Sequence, residues 1–168
     1  ILEVPLQLDI LPDGRETVVI GAPVGCKDFT HLQGDNQYGY QGTCGLVACE
    51  DILRQFGVSV TENDITRYAV ENHLCNIADD PAQSGGTTLE WQAQILTDFG
   101  VPAEVKIDGS LEDLADYLEH GQGVIASVNA GILWNDAAYY DNGQPNHAIV
   151  VTGVSRDPHT GDIQGFYI

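Results

Sequence analysis

Basic residues are scarce in this 168-residue chain: six Lys plus Arg stand against 25 Asp plus Glu, a formal net charge of −19, with the acids spread along the sequence. Such a surface repels nucleic acid and anionic membranes, so partners of both kinds are not expected. It keeps the chain dispersed in water and attracts basic partners. Long apolar runs are missing too, since none approaches the roughly 20 residues of a membrane span. The opening ILEVPLQLDILPDG has neither the charged nor the apolar region of an export signal. Because the first residue is Ile, the expectation is a fragment of something longer that carries the targeting part. Cysteine is sparse as well. Cys26, Cys44, Cys49 and Cys75 make no pair of C-x-x-C clusters and have no zinc-type spacing with His, so no metal and no cofactor is expected. At this density a disulfide framework is not expected either, and at least some of the thiols should be free.

The residues present describe one globular domain: 43 % are apolar, 19 are Gly, 7 are Pro, and no repeat or low-complexity tract interrupts them. Leu2, Val4, Leu6, Leu8 and Ile10 alternate with other residues before the turn Pro12-Asp13-Gly14 and the β-branched Thr17-Val18-Val19-Ile20. This predicts an N-terminal hairpin within 1–22. Residues 21–43, rich in Gly, Asn, Gln and Tyr, read as a long irregular loop of the kind that carries function. Leu46, Cys49, Leu53 and Phe56 then form one helical stripe, so a helix begins at Cys44 and stops at Gly57. Thr61 with Asp64, Thr87 with Glu90 and Ser110 with Asp113 signal three further helix starts, the last two helices being closed by Gly100 and Gly121. Strand-like runs follow at 105–107, 124–128, 147–154 and 163–168, and the turn at 157–161 joins the last two into an antiparallel hairpin. The expected class is α+β, a helical first half followed by an antiparallel sheet, with the core at 33–168.

Two residues carry chemistry. A thiol attacks carbonyl carbon only as thiolate, and a helix N-terminus supplies partial positive charge and free N–H groups that favour that form. Cys44 occupies such a place, after the glycine-flanked GYQGTCG that lets backbone approach closely and lets the Cys44 amide face an oxyanion. The competing reading is a small buried hydrophobe, the role that suits Cys49 on the apolar stripe. Asn146-His147 opens an apolar strand straight after the polar, aromatic loop 134–145. A histidine at a strand mouth faces a cleft, whereas a core histidine would lie inside the run. Of the others, His31 falls in the long loop, His73 and His120 near helix C-termini where a cation suits the dipole, and His159 in a turn.

The pattern QYGYQGTCGLVACEDILRQFG, followed about a hundred residues on by NHAIVVTGV, resembles the papain-like cysteine peptidases. It is most similar to the double-glycine leader peptidases of bacterial ABC exporters and to the papain-fold toxin domains at the C-termini of bacterial secreted toxins. The likeness runs from roughly Gln33 to the chain end and leaves out the first thirty residues. It implies a papain-like fold with Cys44 as nucleophile and His147 as base in thiol-dependent acyl transfer. The family's oxyanion glutamine lies six residues before the cysteine, where this chain has Tyr38, so Gln37 and Gln41 are the nearest candidates. The third triad member, an Asp or Asn at the end of the strand after the histidine, is expected just beyond Ile168, unless another acid substitutes. Trp134, Tyr139 and Tyr140 are candidate substrate-binding walls, or packing anchors. The implied function is a thiol protease serving as a bacterial toxin or effector domain, acting in the target-cell cytoplasm on a protein substrate, with a Gly-Gly site suggested. A cognate immunity protein would cover the active site. Two alternatives stay open, a papain-fold glutamine deamidase or transglutaminase using the same residues, and a non-catalytic peptide-binding module, against which the presence of both Cys44 and His147 speaks.

Overall fold

A computed structural model of the chain describes residues 1–23 and 32–168. Its elements run β1 (Leu6–Ile10), β2 (Glu16–Gly21), α1 (Cys44–Gln55), α2 (Glu62–Glu71), α3 (Leu89–Asp98), α4 (Leu111–Glu119), β3 (Val124–Val128), α5 (Ala130–Trp134), β4 (His147–Val151), β5 (Gly153–Arg156) and β6 (Ile163–Tyr167). The fold is α+β, with antiparallel strand pairing. The described residues fall into two compact units, one drawn from Ile1–Thr30, Lys106–Val124 and Val150–Ile168, the other from His31–Val105 and Ile125–Ile149.

The first unit holds a four-stranded sheet in the order β1-β2-β5-β6. Its N-terminal hairpin turns where Gly14, at φ +87°, donates its N–H to the Leu11 carbonyl. The hairpin is no separate appendage, because β2 pairs with β5, setting Val19 opposite Ser155. Thr17 and Val19 point inward from β2, and α4 packs on β2 and β5 with Ala115 and Leu118 buried. Helix α4 starts on the Ser110–Asp113 capping box and is followed by Gly121 at φ +76°. Arg156 at the end of β5 reaches back to that helix, 2.6 Å from Glu119 and 3.0 Å from Glu112. The β5–β6 turn closes as expected. Asp157 accepts the backbone N–H groups of His159 and Thr160, which hold its carboxyl below the usual range.

In the second unit α2 and α3 pack on α1. Leu46 and Leu53 of α1 meet a core shared with Ile65, Ala69, Ile95 and Leu96, all buried. Burial on α1 exceeds the predicted stripe, extending from Gly45 to Leu53. Helix α2 begins with the Thr61–Asp64 capping box. At α3 the cap is Thr88 and not Thr87: Thr88 accepts the Trp91 N–H, while the Thr87 hydroxyl is occupied by the Gln92 side chain.

Two strand expectations change. Residues 105–107 form no strand, because the chain bends directly after them at Asp108, φ +59°, and three residues are too few to hold a ladder. The run 147–154 is two strands, β4 pairing with β3 and β5 with β2 and β6, with Thr152 between them donating its N–H to the Tyr167 carbonyl. Cys26, His31 and part of the long loop expected at 21–43 lie outside the described residues. Among those described, no helix is long and apolar enough to cross a membrane, and Cys44, Cys49 and Cys75 are free thiols.

Candidate active site

Cys44 is the first residue of α1, directly after the N-cap position Thr43. The helix starts there because the apolar stripe begins at Leu46, and it ends before Gly57, which takes φ +84°. Its first turn carries no acidic residue and donates no N–H to the Thr43 side chain. Cys44 therefore sits at the positive end of the helix dipole.

His147 opens β4, and the residue before it is fixed on three sides. The Asn146 N–H donates to Val128, its side-chain amide to the Tyr139 carbonyl at 2.8 Å, and its Oδ1 accepts the Ala130 N–H at 2.8 Å. Asn129 clamps the same loop by donating to the carbonyls of Tyr140 and Gln144 and accepting from Ile132. Gly131 permits the closeness of this packing, since a Cβ there would sit 2.5 Å from the Tyr140 backbone. Trp134 is brought against the His147 ring with centroids 5.0 Å apart, and Tyr139 meets Trp134 edge-on at 5.3 Å.

Cys44 and His147 line one cavity of about 540 Å³ within the second unit. Comparison with protein-family models, curated proteins and solved structures finds no match. The chemistry of this cavity is therefore read from its own residues. Partial burial pushes the His147 imidazole below its ordinary pKa, which keeps it neutral and able to accept a proton near neutral pH. Cys49 is fully buried, and burial pushes its thiol far up, leaving it unreactive. Among the described residues the cavity lining contains no Asp, Glu, Lys or Arg, although the chain as a whole carries a charge of −19.

The glutamines fall differently from expectation. Neither Gln37 nor Gln41 lines the cavity: the Gln37 N–H donates to Asn63, and the Gln41 side chain reaches the Gly39 carbonyl at 3.4 Å. Asn36 brackets Tyr40, donating to its carbonyl and accepting its N–H, which turns this stretch back on itself. Gln33 does line the cavity, held by its side-chain amide to the Gln41 carbonyl. So does Gln92 of α3, whose amide donates to Thr87 at 3.0 Å. Gly45 makes this wall possible, because a Cβ there would lie 2.0 Å from the Thr87 hydroxyl and 2.6 Å from the Gln92 nitrogen. Gln33 escaped notice because it lies far from Cys44 in sequence, and Thr87 because its hydroxyl resembled a helix cap. Gln92 is a polar residue inside a helical pattern, and its burial is the signal that marks it.

Trp134, Tyr139 and Tyr140 are half exposed and do not line the cavity, and of the three Trp134 is the one whose ring meets His147. Among the described residues no carboxylate or amide is hydrogen-bonded to the His147 ring, and no group of three His, Cys, Asp or Glu is placed to hold a metal ion. His120 and His159 sit elsewhere, beside Asp116 and Glu16.

Proposed function

We propose that the chain is a papain-like cysteine peptidase domain with Cys44 as nucleophile and His147 as general base. The observation that carries this is the meeting of the two at one cavity, the thiol at a helix N-terminus and the imidazole at a strand mouth. His147 takes the Cys44 proton, and the thiolate adds to a peptide carbonyl carbon. The Cys44 N–H and a glutamine side chain hold the resulting oxyanion, Gln33 being the glutamine at the cavity on the loop before Cys44. Collapse breaks the C–N bond, His147 returns the proton to the leaving amine, and water hydrolyses the thioester to acid and free thiol. The described lining, which carries no charged side chain, suits uncharged residues at the cleavage point, a Gly-Gly site among them. In this reading the domain is a bacterial toxin or effector that cleaves a target-cell protein, with Trp134 and Tyr139 as the anchor an immunity protein would cover.

The amide-rich lining equally favours a second reading, in which the acyl donor is a glutamine side chain and the enzyme a deamidase or transglutaminase. Mass spectrometry of a target proteome exposed to wild type and to Cys44→Ala separates the two. New peptide termini that require Cys44 are expected for the peptidase. Deamidated or cross-linked glutamines without new termini establish the second reading, and identical proteomes with both proteins remove both.

A further inference from the structure

Among the described residues the cavity is lined by five amide side chains, of which Gln33, Asn76, Gln83 and Asn146 are exposed and Gln92 is buried, 6 % exposed. A polar group at that depth is ordinarily bonded at both ends. Even two of the exposed amides are. Asn76 donates to the Gln83 carbonyl at 3.1 Å and accepts the Gly86 N–H at 2.6 Å, and Asn146 donates to Tyr139 while accepting from Ala130. Gln92 is bonded at one end only. Its Nε2 donates to the Thr87 hydroxyl at 3.0 Å. Its Oε1 takes no hydrogen bond from a described residue and is not sealed from solvent, so it opens on the cavity that Gln92 lines.

Thr87 is left half-used in the complementary sense. Its oxygen accepts from Gln92, and its proton goes to no described residue. The two side chains thus offer the cavity one acceptor, Gln92 Oε1, and one donor, the Thr87 O–H, held side by side by their own bond. A carboxamide carries the reverse set, an N–H and a C=O on one planar group. A carboxylate has acceptors only, so one of its oxygens would face Oε1, and a hydrocarbon would leave both groups unpaired. The pair also stands beside the nucleophile. It packs on the backbone of Gly45, the residue after Cys44, where a Cβ would lie 2.0 Å from the Thr87 hydroxyl and 2.6 Å from the Gln92 nitrogen. A group held there is close to the carbonyl that Cys44 attacks.

We infer that Gln92 and Thr87 select substrates by a carboxamide side chain, Gln or Asn, on a residue that adjoins the scissile bond. The inference rests on the peptidase reading of Cys44 and narrows it. A lining without charged side chains admits uncharged residues in general, whereas this pair matches one uncharged group in its bonding pattern.

The test begins with a proteome-derived peptide library, cleaved by wild type and by Cys44→Ala, with the new termini read by mass spectrometry. Gln or Asn should be enriched at one of the two residues flanking the Cys44-dependent cleavage points. Matched synthetic peptides with Gln, Glu or Leu at that position then give kcat/KM, where Gln should exceed Glu by about a hundredfold. Gln92→Met keeps the length but loses the acceptor, and Thr87→Val keeps the shape but loses the donor. Each should cut the preference for Gln over Leu about tenfold, and Gln92→Met should cleave the Leu peptide better than wild type does. These are ratios within one preparation, so they do not depend on how much of a variant is folded, and the wild-type profile needs no variant at all. Cleavage without enrichment of Gln or Asn beside the scissile bond overturns the inference and leaves Cys44 in its role. So do variants that slow all three peptides in proportion, as a pair that only holds the wall together would. Absence of any Cys44-dependent cleavage overturns the peptidase reading, and the inference with it.

Discussion

Replacing Gly45 by Ala adds a single methyl group at the wall of the cavity, and the competing effects can be weighed from the structure. The new Cβ would lie 2.0 Å from the Thr87 hydroxyl oxygen and 2.6 Å from the Gln92 side-chain nitrogen, well inside contact distance. Neither partner yields alone, because the two are hydrogen-bonded to each other at 3.0 Å and Gln92 is buried. Overpacking of this kind costs about 2 kcal/mol, and parting the Gln92–Thr87 bond costs about 1 kcal/mol more. Against this, alanine inside a helix is favoured over glycine by about 1 kcal/mol. The net expectation is a loss of about 2 kcal/mol, read as a fall of roughly 4–8 °C in Tm for a chain of this size. Urea denaturation should give the same loss without a change in slope. In a Thr87→Ala background the nearest obstacle is gone and Gln92 can turn aside, so the same substitution should cost less than about 1 kcal/mol. A Gly45→Ala protein as stable as wild type, or an equal cost in both backgrounds, would refute the account of this wall.

Two further outcomes are expected. Cys49, fully buried with its sulfur 3.7 Å from the Gln92 carbonyl, should resist alkylation until the protein unfolds, and Cys49→Ala should cost about 1–2 kcal/mol in denaturant titration; native labelling at the rate of Cys44 contradicts this. His147, held below its ordinary pKa by burial, binds its proton less readily folded than unfolded, so its stabilising contribution is present above about pH 6.5 and is lost as pH falls from there through the folded value. Wild type should therefore lose more stability between pH 7.5 and 5 than His147→Gln does, measured as the difference between their denaturation midpoints, and parallel curves would show that His147 is not desolvated.

What was legible in the sequence was local. The Thr61–Asp64 and Ser110–Asp113 boxes are complete within four residues, and both cap helices as read. The helix beginning at Cys44 follows from a stripe and a terminating glycine, and His147 at the head of a strand follows from the change of composition at that point. The misreadings arose where distant residues decide. Thr87 has the local look of a cap, but Gln92 claims its hydroxyl and Thr88 takes the role. The run 147–154 is continuous in composition, and only the choice of partners, β3 for one part and β2 with β6 for the other, divides it at Thr152. The glutamine at the cavity was sought near Cys44 in sequence, while the fold of 34–43 around Asn36 and Glu62 leaves Gln37 and Gln41 off the cavity that Gln33 lines. Glu62 itself read as an ordinary polar residue at a helix start, because burial by a loop is invisible to periodicity.

The contact between Trp134 and His147 has an optical consequence. The chain has two tryptophans, Trp91 on α3 and Trp134, and among the described residues only the second lies against an imidazole, with ring centroids 5.0 Å apart. An imidazolium that close to an indole interacts with its π-system and quenches its emission far more than a neutral ring does. The Trp134 share of the intrinsic fluorescence therefore follows the charge on His147, so that Trp91→Phe yields a protein whose ultraviolet emission titrates one histidine without any added label.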